Sequence, residues 1–244
     1  MSWFEEKSNH TRPISRLLSK QRKEYIMKNI LLGLIMSVMM FPAVAGTING
    51  NLSYNSDYVW RGVTQTQGGT SVHGQFEIVS AAGFYTGLYG AQVEFADDDK
   101  TSKELDYYAG FDLQVSDNVS LDTGYVRYTY DASVIESFEE IYAILNIGGL
   151  QIAGYQNLDD NDNYAEIQYS FGWLFDNAFD LTLIHGLHDE KNDAGRNFTM
   201  VRFNKLFGSQ DQFNFGVTFG EDVFEGQTAD SVFASLTYNF SRNI

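Results

Sequence analysis

The sequence predicts an all-β fold: a closed antiparallel transmembrane β-barrel of about twelve strands, preceded by an N-terminal signal peptide. Three observations lead there. Apolar and polar residues alternate along a series of short segments, the connections between the segments alternate between tight and long, and the series follows a secretory leader. Successive strand side chains point to opposite faces, so an alternation of period 2 gives each segment one apolar and one wet face. Ala165, Ile167, Tyr169, Phe171, Trp173 and Phe175, for example, oppose Tyr164, Glu166, Gln168, Ser170, Gly172 and Leu174.

The leader starts at an internal methionine. Met27-Lys28-Asn29 is a short positive start, and the apolar run 30–41 has the roughly 7–15 residues of a signal-peptide core. Pro42 ends it, and Ala43-Val44-Ala45 supplies a small-residue cleavage site, which places the mature N-terminus at Gly46. An inner-membrane anchor is the rival reading, but the run is short of the roughly 20 residues of a spanning helix. Residues 1–26 read as an upstream extension of the start, 27–45 as the signal peptide, and 46–244 as a single barrel domain.

Removal of the leader sharpens the charge. Of 16 Lys/Arg and 32 Asp/Glu, the first 45 residues hold 7 and 3, so 9 basic and 29 acidic residues remain, a net of −20. That excludes the basic footprint of a nucleic-acid binder. Both prolines, Pro13 and Pro42, fall in the removed part, which suits uninterrupted ladders because proline cannot donate to one. There is no cysteine, hence no disulfide and no thiol chemistry.

The expected strands are 47–59, 72–80, 84–95, 104–115, 119–130, 138–147, 150–157, 163–175, 178–188, 196–207, 211–220 and 230–240. Most approach the roughly 9–11 residues of a tilted spanning strand. The connections at 81–83, 116–118, 148–149, 176–177 and 208–210 are tight, and those at 60–71, 96–103, 131–137, 158–162, 189–195 and 221–229 are longer. Outer-membrane barrels combine short periplasmic turns with long external loops, which places both termini in the periplasm. A soluble sandwich has no reason to segregate loop lengths in this way.

Aromatic residues gather at strand ends: Tyr58 with Trp60, Phe84 with Tyr85, Tyr128 with Tyr130, Trp173 with Phe175, and Tyr238 with Phe240. Such clusters predict interfacial girdles in contact with outer-membrane lipid and lipopolysaccharide. Acidic runs mark the long loops at 97–99, 159–162, 189–193 and 221–225. They form a solvated, repelling rim with, at most, weak sites for divalent cations; none has the spacing of a dedicated calcium loop.

By alternation Asp57, Glu77, Glu94, Asp106, Asp112, Glu166 and Asp180 are assigned to the lumen. Arg202 opposes them by parity, as does Arg61 if the first strand continues past Val59, whereas the face of Arg127 is ambiguous. Rings of acids favour cations in a pore. The same charges also suit a plugged lumen closed by salt bridges and water.

The segment Ser-Tyr-Asn-Ser-Asp-Tyr-Val-Trp-Arg-Gly-Val-Thr-Gln-Thr at 53–66 resembles the hallmark of the TorF-type porins, a proteobacterial outer-membrane family. Ser56, Asp57, Tyr58, Arg61, Gly62, Thr64, Gln65 and Thr66 carry the match. Gly83-Phe84-Tyr85-Thr86-Gly87-Leu88-Tyr89 and Glu104-Leu105-Asp106-Tyr107-Tyr108 extend it to about residue 112. The chain departs from the pattern at Gly68-Gly69, His73-Gly74-Gln75 and Ala91-Gln92, and Ser241 to Ile244 follow the terminal aromatic Phe240. The resemblance implies an outer-membrane barrel with a porin-like role and brings neither substrate nor catalytic residues. Read on its own chemistry, the motif puts Asp57 near the outer mouth, lets Gly62 turn the chain off the strand, and allows Arg61 to reach an inward carboxylate. Loop pinning and direct solute contact are both open roles.

Enzyme chemistry finds no support in the sequence. His185 has outward parity, Ser170 has inward parity, and His185 and His188 do not share a strand face, so neither a lipase pair nor a metal pair results. No cofactor fingerprint is present. Two functions remain: a passive, cation-preferring diffusion channel for small solutes in the cell outer membrane, or a non-conducting structural or adhesive barrel acting through its acidic external loops.

Overall fold

The computed structural model describes residues 46–95, 102–131, 135–160, 162–172, 179–189, 196–207, 211–220 and 231–244. The extension and signal peptide expected at 1–45 lie outside the described residues, as do Trp173 and Phe175 of the expected girdle. The strands are β1 (Gly46–Asn55), β2 (Val59–Trp60), β3 (Val63–Thr64), β4 (Ser71–Ser80), β5 (Phe84–Val93), β6 (Ser102–Ser116) and β7 (Val119–Tyr130). They continue as β8 (Phe138–Ile147), β9 (Leu150–Asn157), β10 (Asn163–Ser170), β11 (Asp180–Asp189), β12 (Arg196–Phe207), β13 (Asp211–Gly220) and β14 (Ser231–Asn243).

Twelve of these strands, β1 and β4 to β14, form one closed antiparallel barrel. Each pairs with its sequence neighbour, and β1 closes the wall by pairing β4 on one side and β14 on the other. The seam is tied at the base, where the backbones of Gly46 and Ile244 exchange hydrogen bonds of 3.1 and 2.9 Å. Closure removes the sheet edge, whose unpaired N–H and C=O groups could not sit in hydrocarbon.

The two faces separate cleanly. Leu52, Tyr54, Phe76, Leu88, Ile152, Ile167, Leu183 and Leu236 point outward and stay exposed, with Leu52 at 58% and Leu236 at 59%. An apolar belt of this extent calls for an apolar solvent, and the barrel spans a membrane. The alternate residues face the interior. Tyr85, Tyr108 and Tyr142 lie flat across Gly110, Gly87 and Gly124 of adjacent strands, where an added Cβ would overlap their rings. Aromatic cover of this kind fills a narrow barrel without a side chain beneath it.

Two expectations are corrected. The first strand ends at Asn55, not Val59, and the following segment forms the separate β2–β3 hairpin, with Val59 opposite Thr64 and Trp60 opposite Val63. Its two-residue turn is Arg61-Gly62, with φ of 49° and 81°. Positive φ at both central residues is the requirement of the type I′ turn, whose twist matches that of the flanking strands. The girdle is also revised. Tyr58, Tyr85 and Tyr128 are buried inside, and Trp60 packs against Tyr128 and Phe138, so these rings fill the lumen instead of contacting lipid. Tyr238 and Phe240 do face outward.

The belt has a measurable consequence. Leu88 lies mid-strand on the outer face, 43% exposed. Leu88→Arg is expected to cost about 2–4 kcal/mol of folding stability, the penalty of a cation near the bilayer midplane, read by urea unfolding in lipid vesicles. The inward Gln168→Arg is expected to cost far less, because that position faces a polar interior. Equal costs would contradict the assignment of faces.

Candidate functional site

The hairpin does not project outward. It folds into the upper barrel and meets the wall on several sides. Tyr58 packs with Ala91 and Val93 of β5 and edge-on to His73 of β4 at 4.5 Å. Val59 packs against the cluster of Tyr164, Ile184, Phe198 and Met200 from β10, β11 and β12. The Ser56 hydroxyl accepts from the Ala234 amide of β14 at 2.9 Å, and the Gln65 carbonyl accepts from the Glu94 amide at 2.8 Å.

The base of the hairpin is organised by Asp57, which is 6% exposed. Its Oδ1 accepts from the Thr64 hydroxyl at 2.6 Å and lies 2.9 Å from that of Thr66. The Thr66 hydroxyl in turn accepts the Tyr58 amide at 3.1 Å, and the Gln65 amide donates to the Tyr58 carbonyl at 2.6 Å. The recurrent Asp, Thr and Thr of the motif are thus the hydrogen-bonding frame of a tight hairpin.

Its tip carries the charge. Arg61 donates from both terminal nitrogens to the two carboxylate oxygens of Glu140 on β8, at 2.7 Å each. The guanidinium lies 4.2 to 4.3 Å from the ring centroids of Trp60, Tyr155 and Tyr164. The Arg61 carbonyl lies 3.2 Å from Nε2 of His188 on β11, and a Cβ at Gly62 would overlap the Phe198 ring. Burial alone would lower the Arg61 pKa, but the hydrogen bond to Glu140 and its charge more than reverse this, and the net direction is upward. Breaking a buried pair strands the surviving charge and costs about 3–5 kcal/mol, while desolvated cation–π contacts add about 2 kcal/mol. The tip is therefore the strongest anchor of the hairpin.

Below the hairpin the inner wall is polar. The Asn146 amide donates to Ser120, Gln151 to Asn146, and Gln168 to Gln151, at 3.1, 2.8 and 2.7 Å, a carboxamide row across β7 to β10. Asn51 donates to Gln75 at 2.8 Å, and Gln75 to the Tyr108 hydroxyl at 2.6 Å. Tyr85 donates to Asp122 at 2.5 Å.

The sequence-assigned residues distribute as follows. Asp57 and Arg61 belong to the hairpin and not to the barrel wall. Glu77 sits inward on β4, 3.4 Å from Nδ2 of Asn49. Asp106 is buried on the inward face of β6, with Oδ1 unpartnered. Asp112 has inward parity opposite Asp122 near the base. Glu166 accepts from Tyr164, and Asp180 accepts from Ser170 at 2.5 Å. Arg202 faces the interior with Nε unpartnered, and Glu166 and Asp180 are its charged neighbours. Glu94 departs from the expectation: it follows the end of β5, is exposed, and shares the outward parity of Leu88 and Gln92. Arg127 is outward as well, paired with Glu139 at 2.7 Å.

Sequence reasoning passed over three inward acids, Glu104, Asp122 and Glu140. Glu104 shares the parity of Asp106, and Glu140 that of Tyr142, so alternation alone could have found both. Among the described inward side chains, the acids outnumber Arg61 and Arg202. Among the described residues, no group of three His, Cys, Asp or Glu could hold a metal ion.

A family model described as bacterial protein of unknown function (Gcw_chp) matches residues 41–217, and the chain belongs to that family. No curated protein matches the chain. Among solved structures it is similar to the KdgM porin, at 8% identity and a TM-score of 0.51, over 80% of this chain and 98% of the other. An outer membrane channel from Pseudomonas putida F1 gives 12% identity and a TM-score of 0.47, over 83% and 97%. OprD of Pseudomonas aeruginosa gives 10% and 0.39, over 83% of this chain and 68% of that one. At these identities the likeness concerns the fold alone.

Asp57→Ala should loosen the hairpin without opening the barrel. Loss of a buried acceptor leaves the Thr64 hydroxyl short of a partner and removes a neighbour of the Thr66 hydroxyl, which keeps the Gly69 carbonyl at 2.7 Å, at about 1–3 kcal/mol. The Tyr58 and Gln65 amides should then exchange with solvent roughly 10–100 times faster, while exchange in β9 and β10 stays unchanged. Unaltered exchange at Tyr58 would remove Asp57 from this role.

Proposed function

We propose that this member of the Gcw_chp family is a porin-like channel of the outer membrane, passing small polar solutes by diffusion with a preference for cations. The observation that carries the reading is the inner wall: a closed barrel, apolar outside, lined inside by carboxamides and an excess of carboxylates. Glu77, Asp112, Glu166 and Asp180 line the path below the hairpin, with Arg202 as the opposing base. The leader at 27–45 supplies export, and the TorF-type porins are the finer family resemblance. A carboxylate-lined path concentrates cations and repels anions over a Debye length of about 10 Å at 0.1 M salt.

One observation favours a second reading. The hairpin fills the upper lumen and is held there by buried contacts, as a non-conducting structural barrel would require. Current decides between the two.

In planar bilayers under a KCl gradient, the channel reading expects stable current steps and a cation-selective reversal potential that shrinks as salt rises. Glu166→Gln combined with Asp112→Asn should lower that selectivity. A folded protein that stays silent supports the structural barrel, and anion selectivity in the unmodified protein would refute the role given to the inward carboxylates.

A further inference from the structure

We propose that Glu140, Tyr155 and Tyr164 form a recognition site for guanidinium-type cations on the inner wall, and that the chain's own Arg61 occupies it as a tethered ligand. The site is built without the hairpin. Tyr155 and Tyr164 stand directly opposite each other on β9 and β10, and Tyr142, next to Glu140 on the same face of β8, stands opposite Tyr155. Three adjacent strands of a closed sheet hold these side chains in place. Tyr128 of β7 donates to Oε2 of Glu140 at 3.2 Å, fixing the carboxylate from behind.

The occupant shows what the site selects. A planar fork meets both carboxylate oxygens at 2.7 Å while the guanidinium carbon lies over two wall rings, 4.2 and 4.3 Å from their centroids. An ammonium has no plane to stack and no paired donors to match a carboxylate, so the geometry discriminates in favour of guanidinium. Arg61 reaches the site from the tip of a two-residue turn, the most protruding point of the hairpin.

Tethering makes the internal ligand a strong competitor, because a short linker holds it at an effective concentration in the millimolar range or above. A free guanidinium compound therefore meets a filled site in the unmodified protein and a vacant one once Arg61 is truncated. Resting on the channel reading, the corollary is that the hairpin is a displaceable blocker whose release widens the path.

The test uses the full barrel with Arg61→Ala, its folding checked by heat-modifiable gel migration, titrated with ethylguanidinium chloride in a calorimeter. The expected result is saturable binding at least ten times tighter than that of ethylammonium, and abolished in Arg61→Ala/Glu140→Gln. No saturation in Arg61→Ala, or equal binding in both variants, overturns the site. If Arg61→Ala does not fold, Arg61→Lys replaces it: ethylguanidinium should then displace the weaker lysine at lower concentration than in the unmodified protein, and equal concentrations overturn the proposal. Bilayer current separates the two readings. Binding by a silent Arg61→Ala barrel upholds the site and removes the channel, whereas a conducting Arg61→Ala barrel that ignores ethylguanidinium removes the site and upholds the channel.

Discussion

Hydrocarbon offers no hydrogen bonds, and most of this molecule follows from that. Each backbone N–H and C=O at membrane depth must find a partner within the protein, so the sheet must close. Closure fixes the register of every strand, and register fixes which side chains look out. The apolar belt is then the condition for residence in lipid, and the polar set is confined to an interior whose width depends on the strand count. Twelve strands leave a narrow interior, and a few aromatic rings already fill much of it.

That narrowness explains the hairpin. An external loop of ordinary polarity would stay in water. This one carries Tyr58, Val59, Trp60 and Val63 on either side of a single cation, and it meets a wall of Tyr128, Tyr155, Tyr164 and Phe198. Apolar burial draws the hairpin inward, but the guanidinium at its tip would oppose that burial if it were unpaired. Glu140 and the stacked rings turn the costliest group into the best anchored one. Arg61 also holds a left-handed backbone, a conformation that costs about 1–2 kcal/mol outside glycine. Such a cost persists only where surrounding contacts over-determine it.

The fold was legible because alternation survives local noise. Outward residues such as Leu52 and Tyr54, Ile167 and Tyr169, or Leu183 and Leu187 follow at even spacing along their strands, and the tight connections mark the base. The site was less legible. In the upper barrel the inward face is itself aromatic, so hydrophobicity does not separate inside from outside. On β5 the inward set is Tyr85, Tyr89, Ala91 and Val93, while Thr86 and Gln92 look out, and Glu94 was misplaced on that account. The segment Val59-Trp60-Arg61-Gly62-Val63-Thr64 reads as the end of a strand as readily as a hairpin, because both halves alternate. Only the positive φ at Arg61 and Gly62 separates the two. The parity of Tyr142 places Glu140 inside, but its pairing with Arg61 was hidden, because the two lie 79 residues apart and no local pattern encodes that separation.

The hairpin is built to remain a hairpin wherever it sits. Its cross-strand pairs, the Asp57 frame and the Gln65-to-Tyr58 hydrogen bond are all internal. Its bonds to the wall are made by the Arg61 and Ser56 side chains and by backbone, and three backbone amides, those of Ser56, Ala234 and Glu94, tie its ends. Leaving the lumen would therefore break the Arg61 contacts and the ring packing while leaving the local backbone hydrogen bonds intact. A segment whose own structure survives displacement loses no internal backbone pairing when it moves, so the barrier falls on the few contacts that join it to the wall. Among those contacts the two-pronged Arg61–Glu140 pair is carried by charge, and on the proposal above it is the one that release of the hairpin must break at the greatest cost.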